Sequence, residues 1–249
     1  STLASDFPIL QIGHMLGFRI YLIVGCLLVG LLFSCRRVNE PIPSYKPLPK
    51  DVVQSFSPQK ALDQALKTLK NLQENHQDST TFPRSWNPHA AQMVLDPDYI
   101  WTSGFYGGCL WKAFSYTGDS TWLAPAQYYS EAMAEQRWNT TTHDLGFMIM
   151  NSLGEGWKCQ DAYTDTLMGA ALTLSNRFDE QLGTVQSYDM EEARWCPVII
   201  DNLMNLELLF WASELSGNPR YAEMAVRHAA LTRIHHQRAD GSVYHVAVY

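Results

Sequence analysis

The sequence predicts an all-α fold in which helical hairpins close into a toroid. Three features predict it. From residue 59 onward apolar residues recur at helical spacing. Three successive units share one design: an apolar helix, a turn, and an amphipathic helix that opens near an aromatic residue. No run alternates long enough to build a sheet. An irregular helical bundle is the competing architecture.

Residues 1–34 stand apart. An uninterrupted apolar run of 14 residues, 20–33, follows Arg19 and precedes Ser34-Cys35-Arg36-Arg37. It is shorter than the roughly 18 residues a membrane span requires and suits the apolar region of a signal peptide, with Met15 as its start. Leu32-Phe33-Ser34-Cys35 resembles a bacterial lipobox, in which Cys35 becomes the lipidated first residue. The competing reading makes Cys35 an ordinary residue of the apolar region, like Cys26. The expected location is therefore outside the cytoplasm, as a periplasmic or outer-membrane-anchored lipoprotein that touches membrane only through its lipid. Residues 35–58, with Pro41-Ile42-Pro43-Ser44 and Lys46-Pro47-Leu48-Pro49, read as an extended tether. Residues 59–249 read as the helical domain.

The first helix of that domain contains Ala61, Leu62, Ala65, Leu66 and Leu69. A Pro-, Asn- and Ser-containing loop, residues 80–98, follows. The three hairpins then turn at Thr117-Gly118-Asp119-Ser120-Thr121-Trp122, at Lys158-Cys159-Gln160-Asp161-Ala162-Tyr163 and at Ser216-Gly217-Asn218-Pro219-Arg220-Tyr221. Gly past a helix end and Asp, Asn or Pro before the next start are stop and start signals. The first helix of each unit is apolar nearly all round, as in Val198-Ile199-Ile200 and Leu206-Glu207-Leu208-Leu209-Phe210-Trp211, and is predicted to lie inside. The second helices, such as residues 221–235, mix charge with apolar positions and are predicted to form an outer layer.

Composition narrows the function. Hydrophobic residues make up 46% of 249, with 8 Trp, 12 Tyr and 10 Phe, which excludes a disordered chain. Lys and Arg number 18 against 25 Asp and Glu, a net charge of −7, and no basic stripe is present, so no nucleic-acid partner is expected. The five Cys form neither a CxxC nor a Cys/His spacing, so no metal site is expected either. Without the leader only Cys109, Cys159 and Cys196 remain, unpaired in spacing.

Counting back from each turn aromatic to the start of its inner helix, Trp122 to Ser103 is 19 residues, Tyr163 to Asp144 is 19 and Tyr221 to Asp201 is 20. Asp144 and Asp201 thus occupy equivalent places near the starts of two inner helices. In a toroid of hairpins those starts ring one mouth of the cavity. Two carboxylates there suit general acid/base chemistry on a sugar, one holding hydroxyls and one moving a proton. The structural alternative for each Asp is a helix cap or dipole partner. Asp161 and Asp165 read as solvent-facing turn residues, and His143 as preceding and capping a helix. Trp101, just before an inner-helix start, is best placed to stack on a sugar ring. His245, in Tyr244-His245-Val246, reads by itself as a hydrogen-bonded structural residue.

At these residues the chain resembles glycoside hydrolase family 88, the unsaturated glucuronyl hydrolases. The matching segments run in family order: Phe82-Pro83-Arg84-Ser85, Trp101-Thr102-Ser103-Gly104-Phe105, Thr117-Gly118-Asp119, Thr142-His143-Asp144-Leu145-Gly146-Phe147-Met148, residues 197–206 around Asp201, and Tyr244-His245-Val246. The resemblance implies an (α/α)6 barrel. It implies removal of a 4,5-unsaturated uronic acid from lyase-generated oligosaccharides by hydration of the double bond, without metal or organic cofactor. By motif position Asp201 is the implied acid/base, Asp144 holds ring hydroxyls, and Asp144, Asp201, Trp101 and His245 contact the unsaturated oligosaccharide. Six inner helices ring such a barrel and three or four are countable here, so about half to two thirds of the barrel is expected. The alternatives are an unsaturated rhamnogalacturonyl hydrolase acting on pectin fragments, an ordinary inverting glycosidase, and a non-catalytic lipid-anchored glycan-binding protein.

Overall fold

Ser57 opens the first helix, α1 (Pro58–Asn75): its side chain accepts the Lys60 amide at 3.3 Å, and Pro58 takes a first-turn position that needs no amide proton. The computed structural model describes residues 57–189 and 195–249. The leader, Cys35 and the tether up to residue 56 lie outside the described residues. One stripe of α1, carrying Leu66, Leu69 and Leu72, rests on the core, and no residue of the helix is fully buried.

Residues 80–98, expected to be a loop, contain an antiparallel hairpin, β1 (Phe82–Asn87) with β2 (Gln92–Asp96). Arg84 is the extra residue of a bulge between Pro83 and Ser85. Pro83 and the bulge erase the alternation that announces a strand, and only the end pair, Phe82 and Asp96, is buried.

Three hairpins follow. The first pairs α2 (Ser103–Thr117) with α3 (Leu123–Ala132), which runs into a 3-10 segment, Ala134–Trp138. The second begins as a π-helical turn, Gly146–Met150, continues as α4 (Asn151–Gln160) and returns as α5 (Thr164–Ser175). The third begins as a 3-10 segment, Ile200–Asn205, continues as α6 (Leu206–Ser216) and returns as α7 (Pro219–His235). The turns obey the expected chemistry. Gly118 and Gly217 close α2 and α6 in the left-handed region at φ 67° and 70°. Asp119 accepts the Thr121 amide at 2.9 Å and Asn218 the Arg220 amide at 3.0 Å, capping the returning chains. Asp161, at φ 53°, takes the C-cap of α4 without a glycine, and Asp161 and Asp165 are solvent-exposed as expected.

Two short ribbons complete the described chain: β3 (Phe178–Asp179) with β4 (Thr184–Val185), and β5 (Pro197–Ile199) with β6 (Val246–Val248). Val198 and Ile199, expected inside an inner helix, are extended instead. Their branched side chains favour a strand, and β6 supplies the partner. No ribbon among the described residues exceeds two strands, and the architecture is all-α, three helical hairpins side by side as in part of an (α/α)6 barrel.

The third hairpin is layered as predicted, whereas α5, expected in the outer layer, buries Leu167, Ala170, Ala171 and Leu174 in the core. Inner helices supply fully buried Leu110, Trp111, Met148, Ile149, Leu153 and Leu208, while α7 buries only Met224, Ala225, His228 and Thr232. Gly104 and Gly108 let α2 lie directly on the second inner helix, because a Cβ at either would overlap the carbonyl oxygen of Met148 or Asn151. An ionic ladder links all three inner helices: Lys112 of α2 and Lys158 of α4 both pair with Glu155 of α4, and Lys158 reaches Glu207 of α6 at 3.2 Å.

Candidate active site

The starts of the second and third inner helices are bolted together by buried asparagines. Asn205 Oδ1 accepts the amides of Gly146 at 2.9 Å and Phe147 at 3.2 Å, satisfying donors that a helix start leaves unpaired. Its Nδ2 donates to Asn202 Oδ1 at 3.1 Å, and Asn202 Nδ2 donates to the Val185 carbonyl at 2.8 Å. Only glycine fits at 146, since a Cβ there would stand 2.5 Å from the Asn205 Cα. Asp144 lies two residues before this joint on one helix and Asp201 four residues before it on the other. The π-helical turn beside Asp144 is a distortion common at functional sites.

Asp144 is half-buried and held through both carboxylate oxygens. Thr142 Oγ1 donates to Oδ2 at 2.8 Å, and His143 Nε2 stands 3.2 Å from Oδ1. His143 therefore does not cap the helix, as its sequence position suggested; its ring is 3% exposed and aims at the carboxylate. Asp201 is exposed within its 3-10 segment and makes no side-chain hydrogen bond among the described residues.

One side chain senses both carboxylates. Burial and then the negative charges of Asp201 and Asp144 raise the Tyr188 hydroxyl above its ordinary value of 10.0. The Tyr188 ring lies edge-on to His143, centroids 6.0 Å apart. The preceding Ser187 fixes it, because Ser187 Oγ accepts the Ile199 amide at 3.0 Å and its own amide donates to Pro197 O at 2.9 Å. Sequence reasoning missed Tyr188, which sits between hairpins with no periodicity or motif to mark it.

Trp101 is 47% exposed and stands edge-on to Phe147 at 5.7 Å and Phe105 at 6.0 Å, which sets an aromatic platform beside Asp144. The His245 carbonyl accepts the Ile200 amide at 2.9 Å, so β6 delivers His245 alongside Asp201, with its side chain exposed. Trp101, Asp144, Asp201 and His245 thus all lie at the inner-helix starts. A separate open groove of about 580 Å³, lined by Gln73, His76, Tyr128 and Tyr129, touches none of them.

Successive helical hairpins whose inner-helix starts carry two carboxylates beside exposed Trp101 place this chain in the class of α/α-hairpin proteins. No family model matches the chain. It is 39% identical over 195 residues to an unsaturated glucuronyl hydrolase of Formosa agariphila, covering 74% of this chain and 48% of the relative. It is 32% identical over 192 residues to an unsaturated chondroitin disaccharide hydrolase of Streptococcus pyogenes, covering 74% and 47%. Among solved structures, an unsaturated glucuronyl hydrolase specific for heparin superposes with a TM-score of 0.72 at 35% identity, over 76% of this chain and 51% of the other. The enzyme from Bacillus sp. GL1, responsible for glycosaminoglycan degradation, superposes with a TM-score of 0.67 at 31% identity over the same shares. The chain belongs to this family, the unsaturated glucuronyl hydrolases of glycoside hydrolase family 88, and spans about half the length of the curated relatives it matches.

Proposed function

We propose that this chain supplies the acid/base half of a glycosidase that removes 4,5-unsaturated uronic acid from lyase-generated glycosaminoglycan oligosaccharides. Asp201 donates a proton to C4 of the double bond. Water adds its oxygen to C5 and returns a proton to Asp201. The resulting hemiketal opens to a C5 ketone, and the aglycone leaves from C1. Asp144 holds ring hydroxyls, Trp101 stacks on the sugar, and His245 closes the site beside Asp201. The observation that carries this reading is the bond of Asn205 to Gly146 and Phe147, which ties together the starts of the two inner helices that carry Asp144 and Asp201, both of whose charges raise the Tyr188 hydroxyl. The names of the relatives favour glycosaminoglycan over pectin substrates. The test uses the full-length protein and follows loss of the ultraviolet absorbance of the C4=C5 bond on disaccharides from chondroitin, hyaluronan, heparin and pectin lyases. Turnover of glycosaminoglycan products supports the proposal; turnover of the pectin product alone replaces it.

For location we propose export and lipidation at Cys35, from the basic start, the apolar run and Ser34-Cys35. Palmitate labelling of cells should mark the wild type and spare Cys35→Ala. Equal labelling of the two, or none in either, removes the lipid anchor and leaves simple secretion.

A further inference from the structure

The groove between α1 and α3 is a built site that the chemistry at the inner-helix starts does not use. Its volume of about 580 Å³ falls in the range of small-molecule sites. Its floor is rigid. The His76 ring stacks on Tyr129, with centroids 5.9 Å apart and planes 25° from parallel. The Tyr129 hydroxyl donates to the His76 carbonyl at 3.0 Å, and His76 Nε2 stands 2.9 Å from the Thr81 carbonyl. The core holds Tyr129 from behind, because its ring is edge-on to Phe82 at 5.9 Å and to Tyr106 at 4.6 Å. Tyr128 stands edge-on to Tyr129 at 5.5 Å and is itself 49% exposed, so an open aromatic ring sits on a fixed base.

The rim offers hydrogen bonds without charge. Gln73 and Gln77 line it from α1 and the residues just after it, and Thr121 lines it from the start of the returning chain. Lys70 Nζ donates to Gln73 Oε1 at 3.0 Å, which orients that amide and leaves its Nε2 hydrogens to donate elsewhere. The Gln77 amide is exposed. No Asp, Glu, Lys or Arg is among the described residues that line the groove. These features select a ligand. A charged group would lose hydration here and gain no counter-charge, and a wholly apolar one would cover the amides without pairing them. A pyranose ring fits both demands, with C–H bonds on its face for the Tyr128 ring and hydroxyl or acetamido groups on its edge for Gln73 and Gln77.

We propose that this groove is a second glycan-binding site, in which an uncharged pyranosyl unit stacks on Tyr128 and is hydrogen-bonded by Gln73 and Gln77. A polymer that alternates a uronate with an uncharged N-acetylhexosamine offers such a unit at every second ring. Holding a long glycan at the groove raises the effective concentration of its end at the carboxylates, with no new contact there. The choice of a glycan as ligand rests on the function proposed above; the rigid floor and the uncharged rim do not.

The experiment is electrophoresis of the full-length protein through gels that contain hyaluronan. The wild type should be retarded, and Tyr128→Phe should keep most of the retardation because it keeps the ring. Tyr128→Ala should weaken the apparent affinity about tenfold, and Gln77→Ala by a smaller factor. Both side chains are exposed, so the variants should fold, and kcat on the unsaturated chondroitin disaccharide should stay within about twofold of wild type because that ligand is too short to need the groove. Absence of retardation overturns the proposal, as does a Tyr128→Ala protein retarded like the wild type. Retention on immobilised polyproline with none on hyaluronan would make the groove a peptide site and overturn it as well. A protein whose retardation depends on Tyr128 but which turns over no unsaturated disaccharide, with folding checked by thermal unfolding, defeats the proposed function and leaves the glycan groove standing.

Discussion

Asp144 and Asp201 share a residue type and a helix phase, and they differ in their surroundings. Asp144 has both oxygens engaged, by Thr142 and His143, which suits a fixed acceptor for sugar hydroxyls. Asp201 is exposed and unengaged among the described residues, so both its oxygens are open to a ligand. In the full-length protein Asp201→Asn keeps shape and hydrogen bonding but removes the transferable proton, so kcat should fall about 10²–10⁴-fold with little change in KM. Asp144→Asn should lower kcat and raise KM as well; steady-state kinetics on the chondroitin disaccharide separates the two. His228 gives a stability prediction at the same scale. Its folded pKa is lowered from 6.5 to about 4 by burial, then by neighbouring His236 and His143. A lowered folded value means the unfolded chain takes up the proton first. The contribution is fully present above about pH 6.5 and declines as pH falls toward about 4, a total of roughly 3 kcal/mol. Denaturant titrations from pH 7.5 to 4.5 should show the decline; a flat profile in that window would mean that His228 takes up its proton in the fold as readily as in the unfolded chain.

At the scale of elements, the stability of the site is a matter of how inner helices meet. Gly146→Ala drives a methyl into the Asn205 backbone and should cost about 1–3 kcal/mol and lower kcat together, read by thermal unfolding and kinetics. The ionic ladder answers differently. Burial alone would raise the Glu155 carboxyl, and the hydrogen bonds and charges of Lys112 and Lys158 outweigh it and hold it below 4.5. A depressed carboxylate stabilises the fold above its unfolded value and ceases to as pH falls through the folded one. Because Lys112 is 65% exposed, water screens part of this, and Glu155→Gln should cost only about 1 kcal/mol at pH 7, less in high salt and progressively less as acid protonates Glu155 in the fold. The three turns were legible beforehand because Gly118, Gly217 and Asn218-Pro219 act through local backbone chemistry. The β1–β2 hairpin and β5 were not, since their pairing depends on a bulge and on a strand nearly fifty residues away.

For the whole molecule, the phase of the repeat carried the most information. Spacings of 19, 19 and 20 residues from turn aromatic to helix start marked Ser103, Asp144 and Asp201 as equivalent, and the fold puts all three at inner-helix starts. What joins those starts was hidden: Asn205 and Gly146 stand 59 residues apart, and their bond follows from tertiary packing, not from any local pattern. Tyr188 and the buried histidines were hidden for the same reason; His228 and Thr232 share a helix with exposed Arg227 and Arg233, so nothing in the pattern marks their face as dry. The substrate proposed above is anionic and the chain carries a net charge of −7, so the proposed chemistry rests on placed carboxylates acting on the double bond, with water as co-reactant. Reaction of the full-length protein in ¹⁸O water, with products read before carbonyl exchange, tests that claim most directly. Hydration at C5 predicts the label in the ketone oxygen of the released uronic acid and none at its anomeric carbon. Label at the anomeric carbon would contradict it and make the protein an ordinary hydrolase of the glycosidic bond.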